Sequence, residues 1–80
     1  IHSGAEIDLL VVSGAKRLGF EIKRTSAPRL SRSMRSAVES LELDRLDLVH
    51  AGEATYPLAD RVRAVAARDL LTALEPLREP

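Results

Sequence analysis

The sequence predicts a small α/β domain built on a mixed β-sheet with flanking helices, and three patterns support this fold class. Two strand-like segments, Glu6 to Ser13 and Arg17 to Arg24, are separated by the turn residues Gly14-Ala15-Lys16, which predicts a β-hairpin. Apolar residues then recur at helical spacing from Leu30 to Leu41. The apolar segment Leu46 to His50 follows, and a crossover through the helix would place this third strand parallel to the second.

The limits of the first elements follow from the residues that flank them. Ile7 to Val12 is apolar on both faces, apart from Asp8, so we expect the first strand to be covered on both sides. Thr25 to Pro28 interrupts the strand pattern. Pro28 suits the first turn of a helix, where its missing N–H costs nothing, and the helical spacing continues to about Glu42.

The second half of the chain predicts two short strands and a closing helix. Tyr56 to Leu58 is confined to a sheet edge by Pro57, which cannot donate a ladder hydrogen bond. Arg61 to Ala66 alternates between arginine and apolar residues, which predicts another edge strand, with a helix as the alternative. Ala67 to Leu77 places its leucines on one stripe and predicts the closing helix.

Length and composition restrict the class of protein. Eighty residues form one small domain, so residues 1–80 are treated as a single unit. The chain has no cysteine, which excludes disulfides and thiolate metal sites and predicts a reducing, cytoplasmic location. No apolar run is long enough to span a bilayer, so no membrane partner is expected. Because Ile1 leads directly into a strand pattern, we expect an excised part of a longer chain.

The charges are distributed unevenly along a chain whose net charge is zero. Between Lys16 and Arg35 there are seven basic residues and one acidic residue, Glu21, for a local charge of +6. Such a stretch suits a polyanion, because phosphate contacts supply most of the non-specific affinity for nucleic acid. A solvated, arginine-rich face is the alternative. The candidates for phosphate contact are Arg24, Arg29, Arg32 and Arg35.

Charged side chains on the two hairpin strands form a candidate site. Asp8 lies in the first strand, and Glu21 and Lys23 share one face of the second, about 6.6 Å apart along it. An ionised carboxylate on such a strand needs a partner, and either a metal ion or the neighbouring lysine would serve. The alternative to a site is a same-face ion pair of Glu21 and Lys23 that contributes about 0–1 kcal/mol.

These residues resemble the motif of the PD-(D/E)xK nuclease superfamily, which includes restriction endonucleases and archaeal Holliday-junction resolvases. Asp8, a spacer of twelve residues with a hairpin turn, and Glu21-Ile22-Lys23 carry the resemblance. The longer pattern HSGAEIDLL…GFEIKRTSAPR is similar to the domain of uncharacterised function at the C-terminus of bacterial and archaeal AAA-type ATPases. The resemblance extends to LADRVRAVAARDLL, although the proline of the superfamily name is missing before Asp8.

The resemblance implies a restriction-endonuclease-like core of order β-β-α-β-β-α, with its N-terminal helix missing from this fragment. It implies Mg²⁺-dependent phosphodiester hydrolysis on DNA with Asp8, Glu21 and Lys23 as catalytic residues. The carboxylates of Asp8 and Glu21 and the backbone carbonyl of Ile22 would be the metal ligands, since Mg²⁺ prefers oxygen. Lys23 would orient the attacking water or stabilise charge on the phosphate. ATP would bind only in the absent ATPase domain of the parent chain.

Two alternatives to an active nuclease remain. A catalytically inactive nuclease-like fold could act as a nucleic-acid or protein binding module, and a plain α/β interaction domain could carry Glu21-Ile22-Lys23 by coincidence. Glu6, on the same face as Asp8, is a weaker candidate for an additional acidic ligand, whereas His50 and Tyr56 are interpreted as structural residues. The sequence does not predict an oligomeric state.

Overall fold

The computed structural model describes residues 7–73 and shows a five-stranded mixed β-sheet crossed by one helix of nine residues. The strands are β1 (Leu9–Ser13), β2 (Lys16–Ile22), β3 (Arg45–His50), β4 (Tyr56–Ala59) and β5 (Val62–Ala66). Helix α1 spans Arg32–Ser40, and a 3₁₀ turn at Ala67–Asp69 leads into α2, Leu70–Ala73. In space the strands follow the order β1-β2-β3-β5-β4, which confirms the prediction of an α/β fold with a mixed sheet.

The hairpin of β1 and β2 is antiparallel and closes through a two-residue loop. Ser13 pairs with Lys16, and Gly14 has a φ of +62°, as the first central residue of a type II′ turn requires. The hairpin prediction is therefore confirmed, but both strands are shorter than predicted. The first begins at Leu9 and the second ends at Ile22; Glu6 lies outside the described residues.

Helix α1 connects β2 to β3, which pair in parallel as predicted. Its start differs from the prediction because the N-cap is Ser31, whose hydroxyl accepts the Met34 N–H, and Pro28 lies buried in the preceding loop. The helix ends in a Schellman motif around Glu42, which has a φ of +52°. There the N–H of Leu43 donates to the carbonyl of Val38 at 2.9 Å.

Strand β5 lies inside the sheet, which corrects the prediction of an edge strand. It pairs in parallel with β3 and antiparallel with β4, so that Ala64 is the register partner of both Leu48 and Tyr56. β4 is the sheet edge, as Pro57 predicts, and its register shifts between Pro57 and Ala59. The predicted closing helix is described only as far as Ala73; its continuation to Leu77 lies outside the described residues.

The main core cluster lies between α1 and the sheet, while β1 is left largely open. Its buried members are Met34, Leu43, Leu46, Leu48 and Val62. By contrast, Leu9 and Val12 of β1 are 55% and 57% exposed. The prediction that the first strand is covered on both faces is therefore wrong for the described residues, in which β1 forms the second edge of the sheet.

Candidate functional site

The open end of the β1–β2 hairpin brings the predicted site residues together along the backbone. Leu9 pairs with Phe20, so Asp8 and Glu21 are the next residues beyond the last rung of the ladder. The N–H of Asp8 donates to the carbonyl of Phe20 at 3.0 Å. Thus the aspartate and the Glu21-Ile22-Lys23 segment, which are distant in sequence, meet at one end of the hairpin.

Asp8 contacts this segment directly through its side chain. Its Oδ2 accepts a hydrogen bond of 2.7 Å from the backbone N–H of Ile22. The next N–H, that of Lys23, points the other way and donates to the carbonyl of Val49 on β3 at 2.8 Å. The carboxylate therefore ends the β1–β2 ladder, because it accepts the hydrogen bond that the Ile22 N–H would otherwise donate to a β1 carbonyl. A hydrogen bond to an ionised acceptor is stronger than one to a neutral carbonyl.

Glu21 and Lys23 lie on the face of the sheet that α1 covers. Gly19 shares this face, because it lies two residues before Glu21 and four before Lys23. An added Cβ at Gly19 would meet the side chains of Leu43 and Leu46 in the core. Lys23 Nζ is 2.6 Å from Glu21 Oε2, and the two side chains are 31% and 22% exposed. A pair this accessible to solvent contributes about 0–1 kcal/mol to the free energy of unfolding.

The donor atoms at the hairpin end suit a hard cation in type, though they are few. Two carboxylates and the Ile22 carbonyl offer oxygen, which Mg²⁺ prefers, and waters with a phosphate oxygen would complete six ligands. Across residues 7–73 no group of three or more histidine, cysteine, aspartate or glutamate side chains is arranged to hold a metal ion. A cation at Asp8 and Glu21 would therefore compete with Ile22 and Lys23 for the carboxylate oxygens.

The four arginines predicted to contact phosphate are all exposed, but the basic stretch as a whole is not one surface. Arg24 and Arg29 lie in the loop after β2, and Arg32 and Arg35 lie on α1. Lys16 and Arg17, in contrast, lie next to the hairpin turn at the opposite end of β2, where Arg17 Nε donates to the carbonyl of Leu41 at 2.9 Å. Lys16 and Arg17 therefore lie away from the Asp8 end.

A buried aspartate on β3 is the charged feature that the sequence analysis missed. Asp47 is 1% exposed, and Arg63 on β5 donates to its Oδ1 and Oδ2 at 2.8 and 3.0 Å. Arg45 Nε lies 3.1 Å from the same Oδ1. The signal was present, because an aspartate inside the apolar segment Leu46 to His50 requires a cationic partner, and the arginines of the alternating RVRAV pattern supply one.

His50 and Tyr56 fix the loops that follow β2 and β3. The Gly52 N–H donates to His50 Nδ1 at 3.0 Å, so Nε2 carries the ring proton and donates to the carbonyl of Ala54 at 2.9 Å. The Tyr56 hydroxyl donates to the carbonyl of Pro28 at 3.1 Å. These contacts agree with the interpretation of both side chains as structural residues.

Comparison with known proteins finds a family and uncharacterised relatives. A family model described as a domain of unknown function, DUF4143, matches residues 1–70. The uncharacterised proteins Mb2031c of Mycobacterium bovis and Rv2008c of Mycobacterium tuberculosis are each 54% identical over 68 residues, 85% of this chain. The chain spans only 15% of the length of each of these relatives. No solved structure matches. Across residues 7–73 the structure contains no helix with the length and hydropathy needed to span a bilayer.

Proposed function

The chain belongs to the DUF4143 family, a domain of unknown function, and we propose that it is a nuclease-like domain that binds Mg²⁺ at the open end of its β1–β2 hairpin and hydrolyses phosphodiester bonds of DNA. The observation that carries the proposal is the 2.7 Å hydrogen bond from the Ile22 N–H to Asp8. It joins the aspartate to the Glu21-Ile22-Lys23 segment. The order β-β-α-β, with a parallel β2–β3 pair, is consistent with the restriction-endonuclease-like core that the motif implies.

Each site residue has a role suited to its chemistry. Asp8 and Glu21 supply carboxylate oxygens and Ile22 a backbone carbonyl, a donor set of the kind that Mg²⁺ accepts. A bound Mg²⁺ would polarise a phosphodiester oxygen and stabilise the charge that develops on it. The ammonium of Lys23 would favour the same charge once its contact with Glu21 is shared with substrate. Arg24, Arg29, Arg32 and Arg35 would hold the DNA backbone through its phosphates.

The proposal extends to the parent protein. Relatives of which this chain covers only 15% have room for the AAA-type ATPase domain that the sequence resemblance implies. That domain would be the intramolecular partner of the nuclease-like domain and the place where ATP binds.

A catalytically inactive binding module is the second candidate, and one observation favours it. Both carboxylates of the site already have protein partners, Asp8 the Ile22 amide and Glu21 the Lys23 ammonium. A module of this kind would keep the hairpin end as structure and would bind nucleic acid or protein without a metal ion.

Mn²⁺ titration followed by backbone amide NMR tests the metal site. Paramagnetic broadening should appear first at Ile22 and Lys23 and should be lost in Glu21→Gln. Asp60→Asn is the matched control, because its carboxylate is 97% exposed and lies in the β4–β5 turn. If millimolar Mn²⁺ broadens these two amides no earlier than the rest, the metal site is refuted.

Cleavage of plasmid, single-stranded and branched DNA with Mg²⁺ then separates the nuclease from the inactive module. The wild type and Asp60→Asn should cut at least one of these substrates, whereas Glu21→Gln and Lys23→Met should not. Equal cutting by all four proteins would identify a contaminant. Selective Mn²⁺ broadening without cleavage of any substrate would favour the inactive module.

A further inference from the structure

The two edges of the sheet differ in how they are protected against further strand pairing. Within residues 7–73, β1 forms one edge and β4 the other. An edge strand presents unpaired backbone N–H and C=O groups, and proteins commonly protect it with a proline, a bulge or a charged side chain. β4 has two of these features, because it contains Pro57 and its register shifts between Pro57 and Ala59.

β1 has none of these protective features. It pairs with β2 over Leu9–Ser13 without a register shift, and it contains neither a proline nor a charged residue. Its side chains Leu9, Leu10 and Val12 are 55%, 38% and 57% exposed. A regular, apolar and open edge of this kind is prone to aggregate unless another strand covers it.

The exposed apolar side chains of β1 lie on both faces of the sheet. Leu10 is the register partner of Gly19, which faces the core under α1, so Leu10 and Val12 lie on the α1 face. Leu9 is the register partner of Phe20 and lies on the opposite face. Apolar residues on both faces are typical of a strand in the interior of a covered sheet. Thus β1 lacks both a neighbour at its edge and a cover over its faces.

The length of the relatives indicates where such a neighbour could come from. The chain covers only 15% of each mycobacterial relative, so most of those polypeptides lies outside the matched segment. A strand on the same polypeptide pairs at a high effective concentration, which favours it over a separate molecule.

A second copy of this chain fits the edge less well. Pairing β1 with β1 of another copy would satisfy the backbone groups of both strands. It would bring no layer over Leu9 on one face or over Leu10 and Val12 on the other. A longer parent chain can supply both the strand and the covering layer.

We propose that an extended strand from the part of the parent chain outside these 80 residues pairs with the outer edge of β1. This strand would be apolar on both faces over about five residues, to match Leu9–Ser13. β1 would then become an interior strand. The proposal does not depend on the nuclease activity, because it concerns the sheet edge and not the carboxylates at the hairpin end.

Hydrogen–deuterium exchange of the full-length parent chain, resolved to single amides by fragmentation in the mass spectrometer, tests the proposal. The β1 amides that do not donate to β2 should exchange at least tenfold more slowly than the outward amides of β4, which serve as the reference for an open edge. Equally fast exchange at the two edges would overturn the proposal. A helix that covered only the faces of β1 would also leave these amides fast, and would overturn it.

The same measurement over a range of protein concentrations distinguishes a second copy. Protection from a strand of the same polypeptide should not change with concentration. Protection of β1 that increases with concentration, together with a dimer mass in light scattering, would identify a second copy as the occupant and overturn the proposal.

A charged substitution at the edge provides an independent check. In the full-length chain Val12→Lys should speed exchange of the outward β1 amides several-fold and leave β5 unchanged, because a lysine opposes further pairing at an edge. Ala59→Lys, at an exposed position of β4, is the matched control and should not alter exchange in β1. Unchanged β1 exchange in folded Val12→Lys would refute the proposal. Should Val12→Lys fail to fold, the comparison of β1 with β4 in the wild type decides alone.

Discussion

The carboxylate of Asp8 accepts the backbone N–H of Ile22 at 2.7 Å, and this one hydrogen bond joins the two parts of the candidate metal site. The same side chain therefore has a structural role, ending the hairpin ladder, and a proposed chemical role. A substitution that removes only the charge tests the chemical role. A substitution that also removes the hydrogen-bond acceptor tests the structural role.

Asp8→Asn should leave the fold nearly unchanged and abolish metal binding. The amide oxygen can still accept the Ile22 N–H, so we expect the free energy of unfolding to fall by less than about 1 kcal/mol. Asp8→Ala should cost about 0.5–1.5 kcal/mol, because the hydrogen bond is lost at an exposed position. Urea unfolding and Mn²⁺ broadening measure the two effects. Full Mn²⁺ broadening in Asp8→Asn would contradict the role of the carboxylate.

Asp47→Asn should be among the most destabilising single substitutions on the sheet. It removes the carboxylate charge that the guanidiniums of Arg45 and Arg63 both approach, and breaking a buried pair costs about 3–5 kcal/mol. Because both arginines remain about one-quarter exposed, water compensates part of this cost. We expect the free energy of unfolding to fall by about 2–4 kcal/mol.

Asp60→Asn is the matched control for Asp47→Asn. Its carboxylate is 97% exposed and 3.9 Å from Arg61, so urea unfolding should show almost no change. Equal stability of the two variants would mean that the Asp47 cluster does not hold β3 and β5 together.

Glu42→Gly should stabilise the protein. Glu42 occupies the left-handed C′ position after α1 with a φ of +52°, a conformation that costs a residue with a Cβ about 1–2 kcal/mol. Glycine removes this strain but loses more backbone entropy on folding, which leaves a net gain of about 0.5–1 kcal/mol. Glu39→Gly, within α1, should instead lose about 1 kcal/mol. Thermal unfolding of both variants measures the contrast, and a loss in Glu42→Gly would contradict it.

The fold was largely predictable because its local signals agree with its topology. Gly14 marks the hairpin turn, and the apolar spacing through Leu41 marks the helix whose crossover makes β2 and β3 parallel. The errors occur where a pattern has two physical solutions. The alternation in β5 indicated an edge strand, but β5 lies inside the sheet and Arg63 is paired with a buried carboxylate from a strand that is remote in sequence. Likewise, Pro28 and Ser31 can both begin a helix, and it is Ser31 that caps α1 through its hydroxyl.

The candidate site was predictable in position but not in local bonding. The spacing of Asp8 and Glu21 across a hairpin places them at one end of it, which follows from antiparallel pairing alone. That Asp8 would accept the Ile22 amide depends on β1 beginning only at Leu9, a strand limit that sequence patterns do not define. Asp47 was missed because Arg63, which makes the forked hydrogen bonds to it, comes from a strand pairing that the sequence did not predict.

Gly52→Ala should disturb the loops next to the candidate site. A Cβ at Gly52 would collide with the backbone carbonyl oxygen of Ser26 and with the ring of His50. A backbone oxygen cannot move aside as a flexible side chain can, so the loops after β2 and β3 must separate, and the Gly52 N–H bond to His50 would weaken. We expect a loss of about 1–3 kcal/mol in the free energy of unfolding and amide shift changes that extend to Lys23 and Arg24.

Gly14→Ala is the matched control, since a Cβ there meets open space and only the positive φ is strained. Its amide shift changes should stay at the hairpin turn. If Gly52→Ala altered only the shifts of its own loop, the two loops would not be coupled through the Ser26 contact.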